Sequence, residues 1–593
     1  MRLPQLQFRV EYDTIQKICV GRTAQAIAHT IFDTRGNDVR QNAKRCFLWT
    51  KAVPHRRWHM GGERMGFWDS LAQVNDTVNT FVWTTVGVWL LLATGVLMTA
   101  LTKFFQVTHI GHWMKKTIGS LFDKKVTGHT GEHASISQFQ ALCTALAATV
   151  GVGNIAGVSA AILTGGPGAV FWMWVAAFFG MMTNYSENIL GIYYRRKNHH
   201  GEWSGGAMYY LQDGLGGYGK TEGSRKIFKA VGKTLAVIFA ICAALASFGI
   251  GNMGQVNKIV MNFTSAFDIK ALSARVLYSS QDTDVTLYML IVGIVLMILV
   301  GVVVIGGLQR IAVVAEKVIP FMVVMYVIGA LVIIGANIQH IGTAFSHIFG
   351  MAFTGHAAWG GATGVAFKTV ITQGCKRGVF SNEAGLGSSV MVHSNSNVRE
   401  PVKQGLWGIF EVFADTIIVC TMTALVILTS GVVDLETGAA VANSDATLVA
   451  EAFNTIFKVG NIEYGRYFVA IAILLFAFTT VLGWSHYGTK AVEYLAGKHA
   501  PVVTKIYKVI FVLMILSGAL MTSSIAWDIS DTFNGMMMIP NLIGVISMSP
   551  LVLKMTDNYV KRRLKGQDIE PVLSYDPKIQ AENAKAIKET GED

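Results

Sequence analysis

The sequence is poor in charge for its length: charged residues make up only 15% of its 593 residues, and hydrophobic residues make up 52%. A soluble domain carries nearer a quarter of charged residues. Many uncharged runs, among them 82–101, 235–260 and 287–305, are long enough to cross a bilayer, which takes roughly 20 apolar residues. Because these runs are continuous and do not alternate, they predict a multi-span membrane protein built of helices.

Cysteine is also scarce, with six scattered residues and no Cys-x-x-Cys pair. That pattern argues against a metal cluster or a disulfide framework. The sequence has no GxxxxGK[ST] loop, no GxSxG elbow and no HExxH motif. We therefore expect no catalytic residue, no organic cofactor and no nucleotide-driven pump in this chain.

The net charge of +12 is concentrated at the amino terminus, where residues 1–64 hold twelve Lys/Arg against five Asp/Glu. This uneven distribution argues against a nucleic-acid partner. Residues 1–64 show neither the apolar segment of a secretory signal nor the pattern of a packed domain. Our hypothesis is that they are a basic extension upstream of the true start, at Met65 or Met60, and that a transmembrane domain covers residues 65–553.

The runs and their breakers predict about eleven spanning segments. They lie near 82–103, 136–163, 168–194, 232–262, 286–306, 311–336, 361–392, 404–431, 465–496, 502–523 and 530–553. The loops 104–135 and 195–233 are rich in Lys and Arg, which places them in the cytoplasm. The carboxyl-terminal tail, residues 554–593, is then cytoplasmic as well, and its charged composition predicts disorder. This charge bias suits a bacterial inner membrane.

The second predicted span is interrupted by Gly151-Val152-Gly153-Asn154. Alternating glycines weaken a helix where lipid offers no replacement hydrogen bonds, so such a break survives only where it lines a cavity. There the freed N–H groups can hold a carboxylate and the freed carbonyls can hold a cation. The alternative is that the glycines only let two helices pack closely.

The seventh predicted span has a second irregular segment, from Arg377 to Ser389 (RGVFSNEAGLGSS). If the first span is set aside, the two interrupted helices are the first and sixth of ten. Breaks at corresponding positions of two five-helix halves predict an inverted-repeat transporter with a site near the membrane midplane. The expected fold is thus all-α, with one extra helix and a 5+5 core that contains two broken helices.

At this point the sequence resembles a known family, the alanine or glycine:cation symporters. The similarity rests on GGPGAVFWMW at 165–174, on Gly205-Gly206 with Tyr209-Tyr210, on FSNEAG at 380–385 and on Gly483-Trp484-Ser485. It covers roughly residues 66–553, although Ala207 stands where the family pattern has proline. The resemblance implies a LeuT-type fold and sodium-driven uptake of alanine, glycine or, in some members, glutamine.

The first break also resembles that of the neurotransmitter:sodium symporters, and this likeness implies roles for individual residues. The backbone of Val152, Gly153 and Asn154 would meet the carboxylate of the substrate. Carbonyl and hydroxyl oxygens suit a hard cation such as sodium. The implied sodium ligands are the carbonyls of Ala147 and Val150 and the hydroxyl of Thr479.

Thr480 and Trp484 lie one helical turn apart and share a face that would line the same pocket. Trp484 would limit the size of the substrate side chain, which favours alanine or glycine, and Phe248 would form another wall. The alternative for Thr479 and Thr480 is a hydrogen bond from each hydroxyl to its own helix.

Charged residues inside spans are costly and must be paired. Arg377, Glu383, Glu411 and Asp415 are expected to form a salt-bridge network that latches the inner gate, with direct ion coupling as the alternative. Glu187, close to Arg195, is expected to join a charged cytoplasmic rim.

The sequence therefore predicts a carrier that takes up a small neutral amino acid, alanine or glycine, together with sodium, by alternating access. The alternative is sodium- or proton-coupled uptake of another neutral amino acid such as glutamine. Two non-identical breaks favour alternating access over a channel, which usually shows a repeated filter. The expected partners are the amino acid, sodium and the lipid bilayer.

Overall fold

The computed structural model describes residues 67–121, 123–127, 135–198, 201–279, 284–353, 367–442, 445–521 and 525–590. The expected extension 1–64, with the two candidate starts Met60 and Met65, lies outside the described residues. Residues 71–593 belong to one compact unit.

Helices dominate the described chain. The α-helices before the second break are α1 (Phe67–Thr80), α2 (Val88–Leu101), α3 (Phe105–Thr108), α4 (Ile110–Lys116), α5 (Lys124–Thr127), α6 (Gln138–Thr149), α7 (Val158–Gly165), α8 (Gly168–Tyr193), α9 (Ala207–Tyr210), α10 (Glu222–Phe248), α11 (Gly254–Ala266), α12 (Lys270–Ser273), α13 (Leu287–Ile305), α14 (Gly307–Ala336), α15 (Ile341–Met351) and α16 (Phe367–Asn382). Those after it are α17 (Val390–His393), α18 (Pro401–Val412), α19 (Thr421–Thr429), α20 (Asp445–Asn454), α21 (Tyr464–Ala496), α22 (Ala500–Leu520), α23 (Ile525–Ser547), α24 (Ser549–Tyr559) and α25 (Pro577–Thr590).

Wider and tighter helical turns join several of these helices. The π-helical segments are Phe81–Gly87, Gly153–Gly157, Leu211–Leu215, Gly249–Met253, Phe413–Cys420 and Val560–Leu564, and the 3₁₀ turns are Ile118–Ser120, Ile338–His340 and Gly497–His499. Strands form only short antiparallel pairs in the described residues: β1 (Arg196–Lys197) with β2 (Trp203–Ser204), β3 (Val276–Ser279) with β4 (Asp284–Thr286), and β5 (Lys458–Val459) with β6 (Ile462–Glu463).

Six helical stretches of the described residues are long and apolar enough to cross a membrane, and two bent helix pairs raise that number to eight. One of the six, Tyr464–Leu520, contains the 3₁₀ turn Gly497–His499, which divides it into α21 and α22. The chain is thus a helical, multi-pass membrane protein. The count of about eleven spans and the inverted repeat stay predictions.

The outer helices show which surface faces lipid. On α13, Val295, Ile298, Leu299, Val302 and Ile305 are at least half exposed, although all are apolar. So many exposed apolar side chains on a helix without charged residues indicate that this surface contacts lipid hydrocarbon rather than water. By contrast α6, α8 and α18 are buried along most of their length, so the interior of the bundle is built from the helices that surround the first break.

The first predicted break is confirmed. α6 begins at a capping box in which Ser137 and Gln140 satisfy each other's backbone N–H groups. It ends at Thr149, because Val150 has a ψ of 87° and leaves the helical conformation. The helix resumes at Gly153, and the two halves are bent by 52°. The glycines therefore mark a true interruption of the span.

The second irregular segment is also an interruption, and it begins at Glu383, six residues after the predicted start at Arg377. α16 continues through Ser381 to Asn382. Glu383 then has a φ of 55°, a conformation that is strained for a residue with a side chain, and Gly385 and Gly387 have φ of 90° and 73°. At Gly387 an added Cβ would also lie 2.7 Å from the side chain of Asn541. This segment therefore needs glycine for conformation and for space.

Through residue 590 the carboxyl-terminal tail is folded, so the expectation of disorder, which rests on the polar composition from Lys561 onward, is wrong for this part. The N–H of Tyr575 donates to the carbonyl of Tyr193 at 3.0 Å, and Leu573 is buried. Arg562 forms a buried ion pair with Glu400, at the start of α18. A few apolar and paired residues thus hold a mostly polar tail against the bundle.

α21 lies directly against the first break. A Cβ added to Gly483 would stand 2.6 Å from the Cβ of Ala148 and 2.8 Å from its backbone nitrogen. Only a glycine allows the two backbones to approach this closely.

This contact predicts opposite effects for two substitutions of glycine by alanine. Gly483→Ala should lower the free energy of unfolding by about 1–3 kcal/mol, because the backbone of Ala148 cannot move aside as a flexible side chain would. Gly335→Ala is the matched control: nothing lies within 4 Å of its added Cβ, so the better helix former should stabilise α14 slightly. Thermal unfolding in detergent measures both, and equal midpoints for the two variants would contradict the close contact.

Candidate functional site

A small cavity lies between the first break and α21. It is lined by residues of five segments: Ala148, Thr149, Gly151, Gly153, Ile250, Gln255, Phe380, Glu383, Thr480, Trp484 and Asn534. Its volume is about 20 Å³, which is room for about one water molecule. The site is therefore closed in this conformation, and a ligand as large as an amino acid requires the walls to separate.

Three glycines allow the walls to meet. A Cβ on Gly151 would lie 2.4 Å from the hydroxyl of Thr480, and one on Gly251 would lie 2.4 Å from Trp484. Gly153 faces Phe380 and the backbone of Ser381, at 3.2 Å and 3.4 Å from its added Cβ. The cavity is thus bounded by backbone on one side and by Thr480, Trp484 and Phe380 on the other.

The break leaves backbone groups without helical partners. The N–H of Val150 donates to Leu146, whereas the N–H of Gly151 donates to the side chain of Asn154 at 2.8 Å and so leaves the carbonyl of Ala147 unused by the helix. Among the described residues, the N–H groups of Val152 and Gly153 have no hydrogen-bond acceptor. Two of the three predicted donors to the substrate carboxylate and one predicted sodium carbonyl are therefore free for a ligand, whereas the N–H of Asn154 donates to the carbonyl of Gly151 at 3.2 Å.

Asn154 lies behind the cavity, where it is fully buried. Its side-chain oxygen accepts from Gly151, and its side-chain amide donates to the carboxylate of Asp415 at 2.7 Å. Its backbone carbonyl accepts from Thr423 at 2.7 Å. Asn154 thus holds the geometry of the break and joins it to the π-helical segment Phe413–Cys420.

Asp415 is surrounded by neutral donors. Its second carboxylate oxygen accepts from Ser381 at 2.7 Å and from Thr416 at 2.8 Å, and the side chain is fully buried. In the described part of the chain it has no ion pair. A buried carboxylate in this setting either carries a proton or has a cation close by, because an isolated buried charge is costly.

The two predicted hydroxyls make the hydrogen bonds of the alternative interpretation. Thr479 donates to Phe476 at 2.9 Å and to Leu475 at 3.0 Å, and Thr480 donates to Phe476 at 3.0 Å. A hydroxyl that donates to its own helix keeps its oxygen lone pairs, so these bonds leave cation binding open. Phe248 packs on Tyr507 and Phe511, and Ile250 of the same segment lines the cavity in its place.

The expected salt-bridge latch is not formed. In the described residues, Arg377 makes no ion pair with Glu383, Glu411 or Asp415, and its Nε is buried without a partner. Glu411 instead contacts the imidazole of His393 at 3.0 Å, with both side chains fully buried. Glu383 accepts from Ser388 at 2.5 Å and lines the cavity. The carboxylates are therefore separate sites rather than one network.

The expected rim position of Glu187 is also wrong. Its side chain is fully buried and accepts a hydrogen bond from Asn541. Arg195 is buried too and donates to the backbone carbonyls of Ser394, Ser396 and Val398. These residues tie α8 to the segments around the second break.

Sequence reasoning did not assign a role to Ser381, His393 or Thr416. Ser381 stands inside the irregular segment, whose polar composition was the available signal. No sequence pattern indicates that Asn154 and Asp415, 261 residues apart, share a hydrogen bond.

A model of the sodium:alanine symporter family matches residues 68–573. The chain is similar to the sodium/alanine symporter AgcS of Methanococcus maripaludis, at 40% identity over 82% of this chain and 97% of that protein. It is also similar to two Bacillus subtilis proteins, the probable sodium/glutamine symporter GlnT, at 32% identity over 85% and 94% of the two chains, and the putative sodium/proton-dependent alanine carrier YrbD, at 33% over 86% and 96%.

Among solved structures, MhsT in complex with L-phenylalanine aligns with a TM-score of 0.47 and 13% identity, over 72% of this chain and 99% of that one. A likeness of this degree leaves the repeat arrangement a prediction.

The position of Asn154 leads to a prediction for transport. Asn154→Ala removes one donor from the buried Asp415 and the acceptor of the Gly151 N–H, so sodium-dependent uptake of labelled alanine should fall about tenfold or more while the protein still inserts and purifies. Asn257→Ala, which removes a half-buried amide that bonds only to carbonyls near the end of α22, is the matched control and should retain uptake. Wild-type uptake by Asn154→Ala would remove this residue from the site.

Proposed function

The chain belongs to the sodium:alanine symporter family, and on this premise we propose that it couples the entry of sodium to the uptake of a small neutral amino acid, alanine or glycine, by alternating access. The observation that carries the proposal is the closed cavity at the first break, which is lined by Gly153, whose N–H has no acceptor among the described residues, together with Trp484 and Glu383. Such a cavity suits a small zwitterion at the interrupted part of a membrane helix.

The two ends of the amino acid have different partners in this proposal. The N–H groups of Val152 and Gly153 donate hydrogen bonds to the carboxylate, and the dipole of the helix that follows them attracts its negative charge. The carboxylate of Glu383 lies on the same cavity and attracts the ammonium group. Trp484 fills the remaining space and limits the side chain to the size of alanine or glycine.

Sodium is held by oxygen ligands beside the same break. The helix leaves the carbonyl of Ala147 unused. In the proposed site, the carbonyl of Val150 and the hydroxyl oxygen of Thr479 complete the ligand set. Carbonyl and hydroxyl oxygens are the ligands that a hard cation prefers. Sodium and the amino acid would then both bind to backbone groups of the same interrupted helix. This shared dependence is the physical reason for the coupling of their transport.

Proton coupling is the second candidate, and Asp415 favours it. A buried carboxylate with only neutral donors is a place where a proton can be held during transport. The two candidates differ in what Asp415→Asn does. If only sodium is coupled, uptake by Asp415→Asn should depend on pH in the same way as uptake by wild type. If protons are coupled, the pH dependence should disappear in this variant, because an asparagine side chain has no proton to lose.

The substrate can also be a larger neutral amino acid such as glutamine, because one similar protein is named as a glutamine symporter. The location that we propose is the bacterial inner membrane, with the carboxyl terminus in the cytoplasm, as the Lys/Arg bias of the loops indicates.

Transport assays with purified protein in proteoliposomes test the proposal. Labelled L-alanine should accumulate in a saturable manner when external sodium is present and should fall to background when choline replaces sodium. Competition by unlabelled glycine and glutamine ranks the substrates. Uptake that is the same in sodium and in choline, over a range of pH, would contradict cation coupling.

Trp484→Ala tests the assignment of side-chain size. Removal of the indole enlarges the cavity and takes away the wall that contacts a small side chain, so alanine uptake should fall about tenfold or more, as is usual when a buried aromatic contact is lost. Competition by leucine or glutamine should become stronger relative to glycine. Phe248→Ala is the comparison, since that ring does not line the cavity, and it should leave the ranking of substrates unchanged.

A further inference from the structure

A second cavity lies farther along α21, where residues that come after Trp484 in the chain line it. Its volume is about 100 Å³, several times that of the first cavity. Ser485, His486 and Thr489 line it from α21, and Leu308 and Ile311 close the opposite side at the start of α14. The α21 residues that line this cavity begin at Ser485, one residue after Trp484 of the first cavity.

The second cavity carries two pairs of opposite charges that behave differently. Lys490 and Glu493 neutralise each other, with an N–O distance of 3.1 Å. Lys508, which is partly buried, and Glu202, which is exposed, also line the cavity, and in the part of the chain that the structure describes neither forms an ion pair. Glu202 accepts only from the amide of Asn198, at 3.3 Å.

A glycine, Gly307, lies next to the amine of Lys508 at the start of α14. Gly307 has a φ of 77°, which favours glycine, and the Lys508 amine lies 3.8 Å from the point where its Cβ would be. The ammonium of Lys508, which comes from α22, thus lies within ordinary contact distance of position 307 on the wall of the second cavity.

We infer that this second cavity binds a zwitterionic amino acid, whose carboxylate is held by Lys508 and whose ammonium group is held by Glu202. An unpaired positive and an unpaired negative group that line the same cavity are complementary to a molecule that carries both charges. A simple anion would leave Glu202 unpaired, and a cation would leave Lys508 unpaired. Ser485 and Thr489 provide hydroxyls beside the bound molecule.

The inference rests on the proposed function and adds a position to it. Glu202 belongs to the Lys/Arg-rich loop 195–233, which is predicted to be cytoplasmic. The second cavity is then the place where the amino acid pauses after it passes Trp484 and before it enters the cell. Amino acid that has accumulated inside the cell would bind there first and would slow further uptake.

Inhibition by internal substrate is the experiment. Uptake of labelled L-alanine is measured in proteoliposomes of one orientation that contain either no alanine or increasing unlabelled L-alanine. For Lys508→Met and Glu202→Gln, the internal concentration that halves uptake should rise about tenfold, as expected for the loss of one charged contact. The inhibition of each variant is expressed relative to its own uptake into empty vesicles, so that a change in transport rate does not enter the comparison. Lys505→Met, an exposed lysine one turn earlier on α22, is the matched control and should behave as wild type.

A half-inhibiting concentration that is the same in wild type and in both variants would overturn the inference. Binding of labelled L-alanine to purified protein tests it without transport. Two molecules per chain in wild type and one in Lys508→Met would support the second site, and one in both would oppose it. Absence of sodium-dependent uptake in wild type, with two molecules bound, would oppose the proposed function and leave the second site standing.

Discussion

The hydrogen bond between the side-chain amide of Asn154 and the carboxylate of Asp415 is the contact on which the rest of the site depends. A helix that is interrupted inside a membrane exposes backbone groups that lipid cannot satisfy. Asn154 solves this for Gly151 by accepting its N–H, and Asp415 extends the chain of bonds to Ser381, close to the second interruption. The two interrupted helices are thereby joined through one carboxylate, and a change at either break is felt at the other.

Much of this arrangement could be predicted from the sequence because it depends on residues that are close together along the chain. Alternating glycines predict the break after Thr149, and the glycines after Glu383 predict the second one. The spacing of Thr480 and Trp484 places both on one face of α21, and the structure finds both on the cavity wall. In each case the residue type and its neighbours along the chain are sufficient for the prediction.

What could not be predicted concerns partners that are distant in the chain. Glu411 and Asp415 have the spacing of a paired helical face, yet one contacts His393 and the other contacts Asn154. The charge of Glu187 suggested a position near water, whereas the amide of Asn541 makes burial acceptable. The tail has the composition of a disordered segment. Composition does not show that Leu573 becomes buried or that Arg562 pairs with Glu400 of the bundle. Tertiary contacts decided all of these.

α21 contacts both cavities without an interruption of its own, and this has a mechanical consequence. Thr480 and Lys490 are ten residues apart on a continuous helix, which is about 15 Å along its axis. The close contact of Gly483 with Ala148 lies between them, and a tilt of α21 would turn about this contact. A rigid rod that tilts about a pivot opens a gap on one side of it only by narrowing the gap on the other. One helix can therefore work as a lever that keeps the two chambers from being open at the same time.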